Sequence, residues 1–158
     1  MIEANNPSLR SWLEIPANSD FPIQNLPFGI FSTSSLSARV GVAIGDQVLN
    51  LSALFAAGFL NTSNEFPFTE SDFTASTLNP IINHGKPASR LLRARISTLL
   101  SADSSEFQLA TDSHSACIID HSSVTMHLPV NVGDYTDCYS SEDHARNVGK
   151  TFRDPENA

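Results

Sequence analysis

Arg39-Val40-Gly41-Val42-Ala43-Ile44-Gly45-Asp46-Gln47-Val48-Leu49-Asn50-Leu51 decides the fold class of this chain. Apolar side chains alternate with small or polar ones on both sides of Gly45-Asp46. This is the period-two pattern of strands with one buried face, joined by the residue types of a tight turn. The stretch predicts a β-hairpin. Upstream, Asn25-Leu26-Pro27-Phe28-Gly29 supplies the Pro and Gly of a loop and leads into Phe28-Gly29-Ile30-Phe31-Ser32, a short aromatic strand. Downstream, Ser52 to Leu60 reads as one or two helical turns that stop at Gly58.

Working outward, 158 residues with 41% hydrophobic side chains allow one domain, or one small domain plus the opening of a second, with a real core. A formal net charge of -8 and the lack of a basic patch argue against nucleic acid, whose partners need clustered Lys and Arg to displace counterions. The same charge does not attract an anionic substrate, which would need a local cation or a bound metal. No apolar run approaches the roughly 20 residues that span a bilayer, and the N-terminus lacks the basic-then-apolar layout of a secretory signal. A cytosolic location is the expectation. Cys117 and Cys138 form no C-x-x-C pair, so the expectation is two plain thiols with neither a disulfide nor a structural zinc site.

The middle of the chain, 61–117, is polar and rich in Ser and Thr at both ends. Between them, Pro87 to Leu100 places Leu92, Ile96, Leu99 and Leu100 on one face and Arg90, Arg93 and Ser97 elsewhere, an amphipathic helix with Pro87 in its first turn. Arg90, Arg93 and Arg95 read as a solvated helix face without a functional role. Asn61 to Asp72 and Ala102 to Ser115 read as exposed loops. Two strand-like runs follow, Ala116 to Ile119 and Ser123 to Leu128. Ser140 to Gly149 then reads as a helix with Ser140 or Ser141 as N-cap, acidic residues in the first turn and Gly149 as its stop.

The polar residues concentrate at 126–154. Asp134 and Asp137 are hard oxygen donors on a loop, but Ca²⁺ or Mg²⁺ takes about six or more oxygens, and this segment supplies only a partial site. His144 falls near a helix N-terminus, where it would act as a base. Each residue also has an ordinary reading. Asp134 and Asp137 would hydrogen-bond a loop, His144 would cap a helix, Tyr135 and Tyr139 would be core aromatics, and Arg153 would pair with Asp154 or Glu156.

Two groups of residues carry a resemblance. Asp20 to Thr33, Arg39 to Asp46, Leu49 and Leu51-Ser52 resemble the N-terminal domain of the fumarylacetoacetase family. Met126-His127-Leu128-Pro129, Gly133 to Asp137, Tyr139-Ser140-Ser141, His144-Ala145, Asn147-Val148-Gly149 and Phe152-Arg153-Asp154 resemble the start of its catalytic domain. The middle, 55–115, is not distinctive, and Cys138 stands where the family often has an aromatic residue.

The resemblance implies an α+β fold, mainly β with helices. Residues 1–117 would form a small SH3-like β-barrel domain, and 118–158 an incomplete start of the mixed β catalytic domain. It implies a hydrolase that cleaves a carbon–carbon bond in 4-fumarylacetoacetate to give fumarate and acetoacetate, the last step of tyrosine and phenylalanine degradation. By the same resemblance Asp137 is a ligand of a bound Ca²⁺ or Mg²⁺, Tyr139 and Arg153 contact the substrate, His144 is the general base, and the larger domain forms a homodimer. The remaining metal carboxylates, the acidic partner of the histidine and further cationic groups are expected from that larger domain. The chain is thus expected to be an N-terminal piece, cut inside a family motif and inactive alone. The alternative is a noncatalytic short form that acts in folding or in association with a full-length partner.

Overall fold

The computed structural model describes residues 3–61, 65–154 and 156. Three strands form where the alternation placed them: β1 at Phe28–Ser32, β2 at Arg39–Ile44 and β3 at Gln47–Asn50. The β2–β3 hairpin closes on the pair Ile44 and Gln47, and Gly45 takes a φ of +56°. A positive φ at the first central residue alone is the pattern of a type II′ turn, whose twist matches that of the strands. Pairing of Ile30 with Val40 and of Leu49 with Val42 puts these side chains on one face, where all four are fully buried. On the other face the ring of Phe31 lies across Gly41. A Cβ at Gly41 would stand 2.7 Å from both Phe31 Cδ1 and Val48 Cγ1, so the glycine makes room for the neighbouring side chains.

The two later strands are β4 at Ile118–Asp120 and β5 at Thr125–His127. They lie on opposite edges of one antiparallel sheet of order β4-β3-β2-β1-β5. Four interstrand steps across a flat sheet amount to about 19 Å. The link between β4 and β5 is residues 121–124, mostly a single 3₁₀ turn at His121–Ser123, and such a turn rises only about 2 Å per residue. The sheet must therefore curl until its edges approach. The edges are not paired with each other, so the sheet is open and not a closed barrel. The chain is α+β, a five-stranded sheet with helices, as the sequence indicated.

Helices cover the sheet. α1, Leu51–Ala56, is capped by the Asn50 side chain and ends as expected at Gly58, with φ +81°. The Phe59 N–H reaches the Leu54 carbonyl at 3.0 Å and the Gly58 N–H the Phe55 carbonyl at 2.9 Å, the paired bonds of a Schellman stop. Part of the expected loop Asn61 to Asp72 is helical. Residues 62–64 lie outside the described residues, but α2 spans Glu70–Thr74, stabilised by a Thr69–Asp72 capping box. α3 follows at Asn79–Asn83.

α4, Gly85–Leu100, buries Leu92, Ile96, Leu99 and Leu100 as its spacing required. Ser97 is buried as well, against the expectation that it would lie off the buried face. Arg93 donates to Asn5 Oδ1 at 2.9 Å, and Arg95 donates to the Phe59 carbonyl at 2.7 Å and pairs with Glu106. These two arginines tie the helix to its neighbours. The second expected loop, 102–115, is corrected by α5 at Thr111–Cys117, which also moves the start of the following strand to Ile118. Thr-Asp-Ser-His-Ser has weak intrinsic helicity; tertiary contacts hold it. The His114 ring stacks on Trp12 at 5.1 Å, its Nε2 lies 2.9 Å from the Phe107 carbonyl, and Cys117 is buried. Among the described residues no helix is long and apolar enough to cross a membrane.

Candidate functional site

The segment that carries the candidate residues leaves the sheet at His127, whose Nε2 lies 2.8 Å from Ser32 Oγ. Three hydrogen bonds then hold its first residues against α3. The Leu78 N–H donates to the Pro129 carbonyl at 2.7 Å, and the Asn79 side chain donates to the Asn131 carbonyl and accepts from the Asn131 N–H at 3.0 and 2.9 Å. Residues 132–139 run on without helix or strand and are exposed. Asp134 serves the loop, its Oδ1 accepting from the Tyr135 N–H at 2.7 Å. Tyr135 is exposed and is not a core aromatic.

α6, Glu142–Phe152, begins as the sequence indicated, with Ser141 as N-cap accepting from the His144 N–H at 3.4 Å. It does not stop at Gly149. The three glycines with positive φ are Gly45, Gly58 and Gly85, so nothing turns the backbone out of the helix at Gly149, whose carbonyl accepts from the Arg153 N–H at 2.8 Å. A glycine inside a helix costs only about 1 kcal/mol, too little to end one by itself. The extra turn decides the geometry, because it sets Phe152 on the face that carries Ala145, Val148 and Gly149, with Arg153 next to it at the helix end.

Tyr139 and Arg153 line one open hollow of about 490 Å³, together with Glu142, Ala145, Arg146, Val148, Gly149 and Phe152. The His144 ring stands edge-on to Tyr139, 5.2 Å between centroids at 62°. Tyr139 is thus the common neighbour, sharing the hollow with Arg153 and a ring contact with His144, which does not itself line the hollow. Asp137 joins neither contact: it lies on the exposed extended stretch and is not among the hollow's lining residues. Within the hollow Arg146 is engaged by Glu142, with contacts of 2.9 Å. Among the described residues Arg153 has no carboxylate partner, contrary to the reading that paired it with Asp154 or Glu156.

The sequence reading missed the hollow's apolar wall. Its signal was present in the spacing of Ala145, Val148, Gly149 and Phe152, a helical stripe that runs past the assumed stop. Among the described residues no three His, Cys, Asp or Glu side chains come together as metal ligands. One exposed carboxylate does not satisfy a hard cation, so these residues do not hold one by themselves.

Residues 24–129, which include the whole sheet, match the family described as Fumarylacetoacetase N-terminal. The chain belongs to the fumarylacetoacetase family. It is 46% identical over 151 residues to a protein named Fumarylacetoacetase from Caenorhabditis elegans, covering 95% of this chain and 35% of that relative. Its identity is 43% to Fumarylacetoacetase from Mus musculus and 42% to that from Homo sapiens, each covering 94% of this chain and 35% of the relative. The chain therefore spans about a third of the length of the curated fumarylacetoacetases it matches.

Proposed function

We propose that this chain is the N-terminal part of a fumarylacetoacetase that hydrolyses 4-fumarylacetoacetate to fumarate and acetoacetate. Its units are 1–117 and 118–158, the first residues of the second supplying both edge strands of the one sheet. The observation that carries the reading is the place of Tyr139, which shares the hollow on α6 with Arg153 and stands edge-on to the His144 ring.

In this reading Arg153 offers a forked cation to a carboxylate of the substrate, which the net charge of the chain otherwise repels. The Tyr139 hydroxyl donates a hydrogen bond to substrate, and its ring limits the swing of the imidazole. A nitrogen of His144 takes a proton from water as the water oxygen bonds to the ketone carbon. The carbon–carbon bond then breaks, its electron pair leaves as the enolate of acetoacetate, and the proton held by His144 returns to that carbon. Asp137 would be one ligand of a Ca²⁺ or Mg²⁺, whose other ligands would come from outside this chain. Such an ion would supply polarisation of the substrate oxygens. The working enzyme is a cytoplasmic homodimer with no nucleic-acid or membrane partner, and the 158 residues alone lack useful activity.

A chimera tests this: the chain replaces the corresponding segment of the Caenorhabditis elegans relative, and loss of 4-fumarylacetoacetate is followed. Turnover that His144→Gln reduces at least about a hundredfold is the expected result. A folded chimera whose turnover is unaffected by His144→Gln overturns the assignment of the base. Exposure of Leu128, Val132 and Phe152, at 86%, 79% and 81%, favours a second reading, a noncatalytic form that associates with a full-length partner. The intact mass of the native protein separates the two. A mass well above 17.1 kDa supports the enzyme, and a mass near it supports the short form.

A further inference from the structure

We propose that Asn79 is a positioning residue for the candidate site, acting as the last clamp between the folded body and the segment that presents Asp137, Tyr139 and His144. The proposal rests on the functional reading above for its catalytic consequence. Its structural content stands on the hydrogen bonds alone.

Asn131 is the last residue that the described hydrogen bonds tie to the body. From residue 132 onward each one is local to the segment: Tyr135 to Asp134, His144 to Ser141, Arg146 to Glu142, Thr151 to Asn147, Glu156 to Asp154, and the backbone bonds of α6. The orientation of everything downstream is thus set at 129–131. Two kinds of contact act there. The Leu78 N–H fixes the Pro129 carbonyl at 2.7 Å. Asn79 then engages both backbone groups of Asn131, donating to the carbonyl at 3.0 Å and accepting from the N–H at 2.9 Å.

A single hydrogen bond leaves a strand free to rotate about it, whereas a two-point contact fixes direction as well as position. Of the side chains short enough to sit here, only a carboxamide presents a donor and an acceptor side by side, as a peptide does. Aspartate would keep the acceptor and lose the donor, and leucine would lose both.

The clamp also has a rigid seat. Asn79 is the first residue of α3, followed by Pro80, which suits a first helical turn, and α3 is anchored by buried Ile81. At the far end of α3, His84 Nε2 lies 3.2 Å from Asp72 Oδ1 of α2. The segment therefore hangs from a helix fixed at both ends, and the site inherits the orientation of that helix.

Amide exchange in the 158-residue chain tests the clamp directly, with Asn83→Ala on the same helix as control. In the wild type, and in N79D, which keeps the acceptor, the Asn131 N–H is expected to be protected. In N79A its exchange speeds up about five- to tenfold while the melting temperature stays within a few degrees. An Asn131 N–H that exchanges equally fast in wild type and N79A overturns the clamp. In the chimera described above, N79A is expected to lower kcat about tenfold and to raise the KM for substrate as well, since Tyr139 and Arg153 hang from the same clamp as His144, with N79D in between. Unchanged kcat in an active chimera overturns the positioning role. An inactive chimera with a protected Asn131 overturns the functional reading, and with it the catalytic consequence, and leaves the clamp supported by exchange.

Discussion

The Asp72 carboxylate accepts from the Thr69 N–H at 2.8 Å and the Thr69 hydroxyl at 3.0 Å, and faces His84. Burial by itself would raise its affinity for a proton, but these hydrogen bonds together outweigh burial and hold the group below its ordinary value of 3.8. A carboxyl depressed on folding stabilises the protein above its unfolded value and loses that contribution as pH falls through the folded one. Asp72→Asn is expected to cost about 1 kcal/mol near pH 6. The difference from wild type should shrink as thermal unfolding is repeated below about pH 4.

The two cysteines differ in the same physical terms. Burial pushes the Cys117 thiol up to about 11, while Cys138 is exposed. A thiol reagent at mildly alkaline pH should add one equivalent quickly, at Cys138, and the second only on unfolding, read by intact mass. Two glycines separate steric from conformational need. Gly41→Ala drives a Cβ into Phe31 and Val48 and should cost about 1–3 kcal/mol, part of it recovered by Phe31→Leu. Gly58→Ala meets nothing within 4 Å, and its cost of about 1 kcal/mol comes from the left-handed backbone, so Phe31→Leu should leave it unchanged.

Among the elements, α4 was legible because Leu92, Ile96, Leu99 and Leu100 repeat at helical spacing over a long segment. Leu92→Ala should cost about 2–5 kcal/mol by leaving a cavity, and Leu91→Ala, on the exposed side, within about 0.5 kcal/mol, both measured by denaturant unfolding. The hairpin was legible for the same kind of reason, with Gly45-Asp46 naming its turn. α2 and α5 were not. They have five and seven residues, too short for periodicity to register, and owe their helicity to a capping box and to Trp12 stacking on His114. The Thr69-x-x-Asp72 spacing was a readable cap signal in the sequence. For α5 no contiguous motif gave the signal, because the helix leans on Trp12 from the start of the chain and on Phe107 in the loop before it.

For the molecule as a whole, residues 3–61 and 65–131 are tied together by the sheet, the helices and the Asn79 contacts, while 132–141 are exposed and without regular structure. Limited proteolysis should cut first within 132–141 and leave the body intact, followed by mass spectrometry. A monomer that leaves 130–158 uncut would contradict this picture. The purified chain should show no turnover of 4-fumarylacetoacetate with added Ca²⁺ or Mg²⁺, since one carboxylate at Asp137 does not complete a cation site.

The sequence by itself determined the β-hairpin, the first strand, the long helix, the N-cap of the last helix and the family, because each rests on local alternation, on helical spacing or on a contiguous motif. It also named Tyr139 and Arg153, which line one hollow, and His144, whose ring stands edge-on to Tyr139. Only the tertiary structure decided that the last two strands lie on opposite edges of a curled sheet, that α6 continues through Gly149, and that Asn79 fixes the start of the site segment. The physical reason is range: hydrophobic period and cap chemistry are written within a few residues. The seat of a strand on an edge and the partner of an amide depend on groups that only folding brings near.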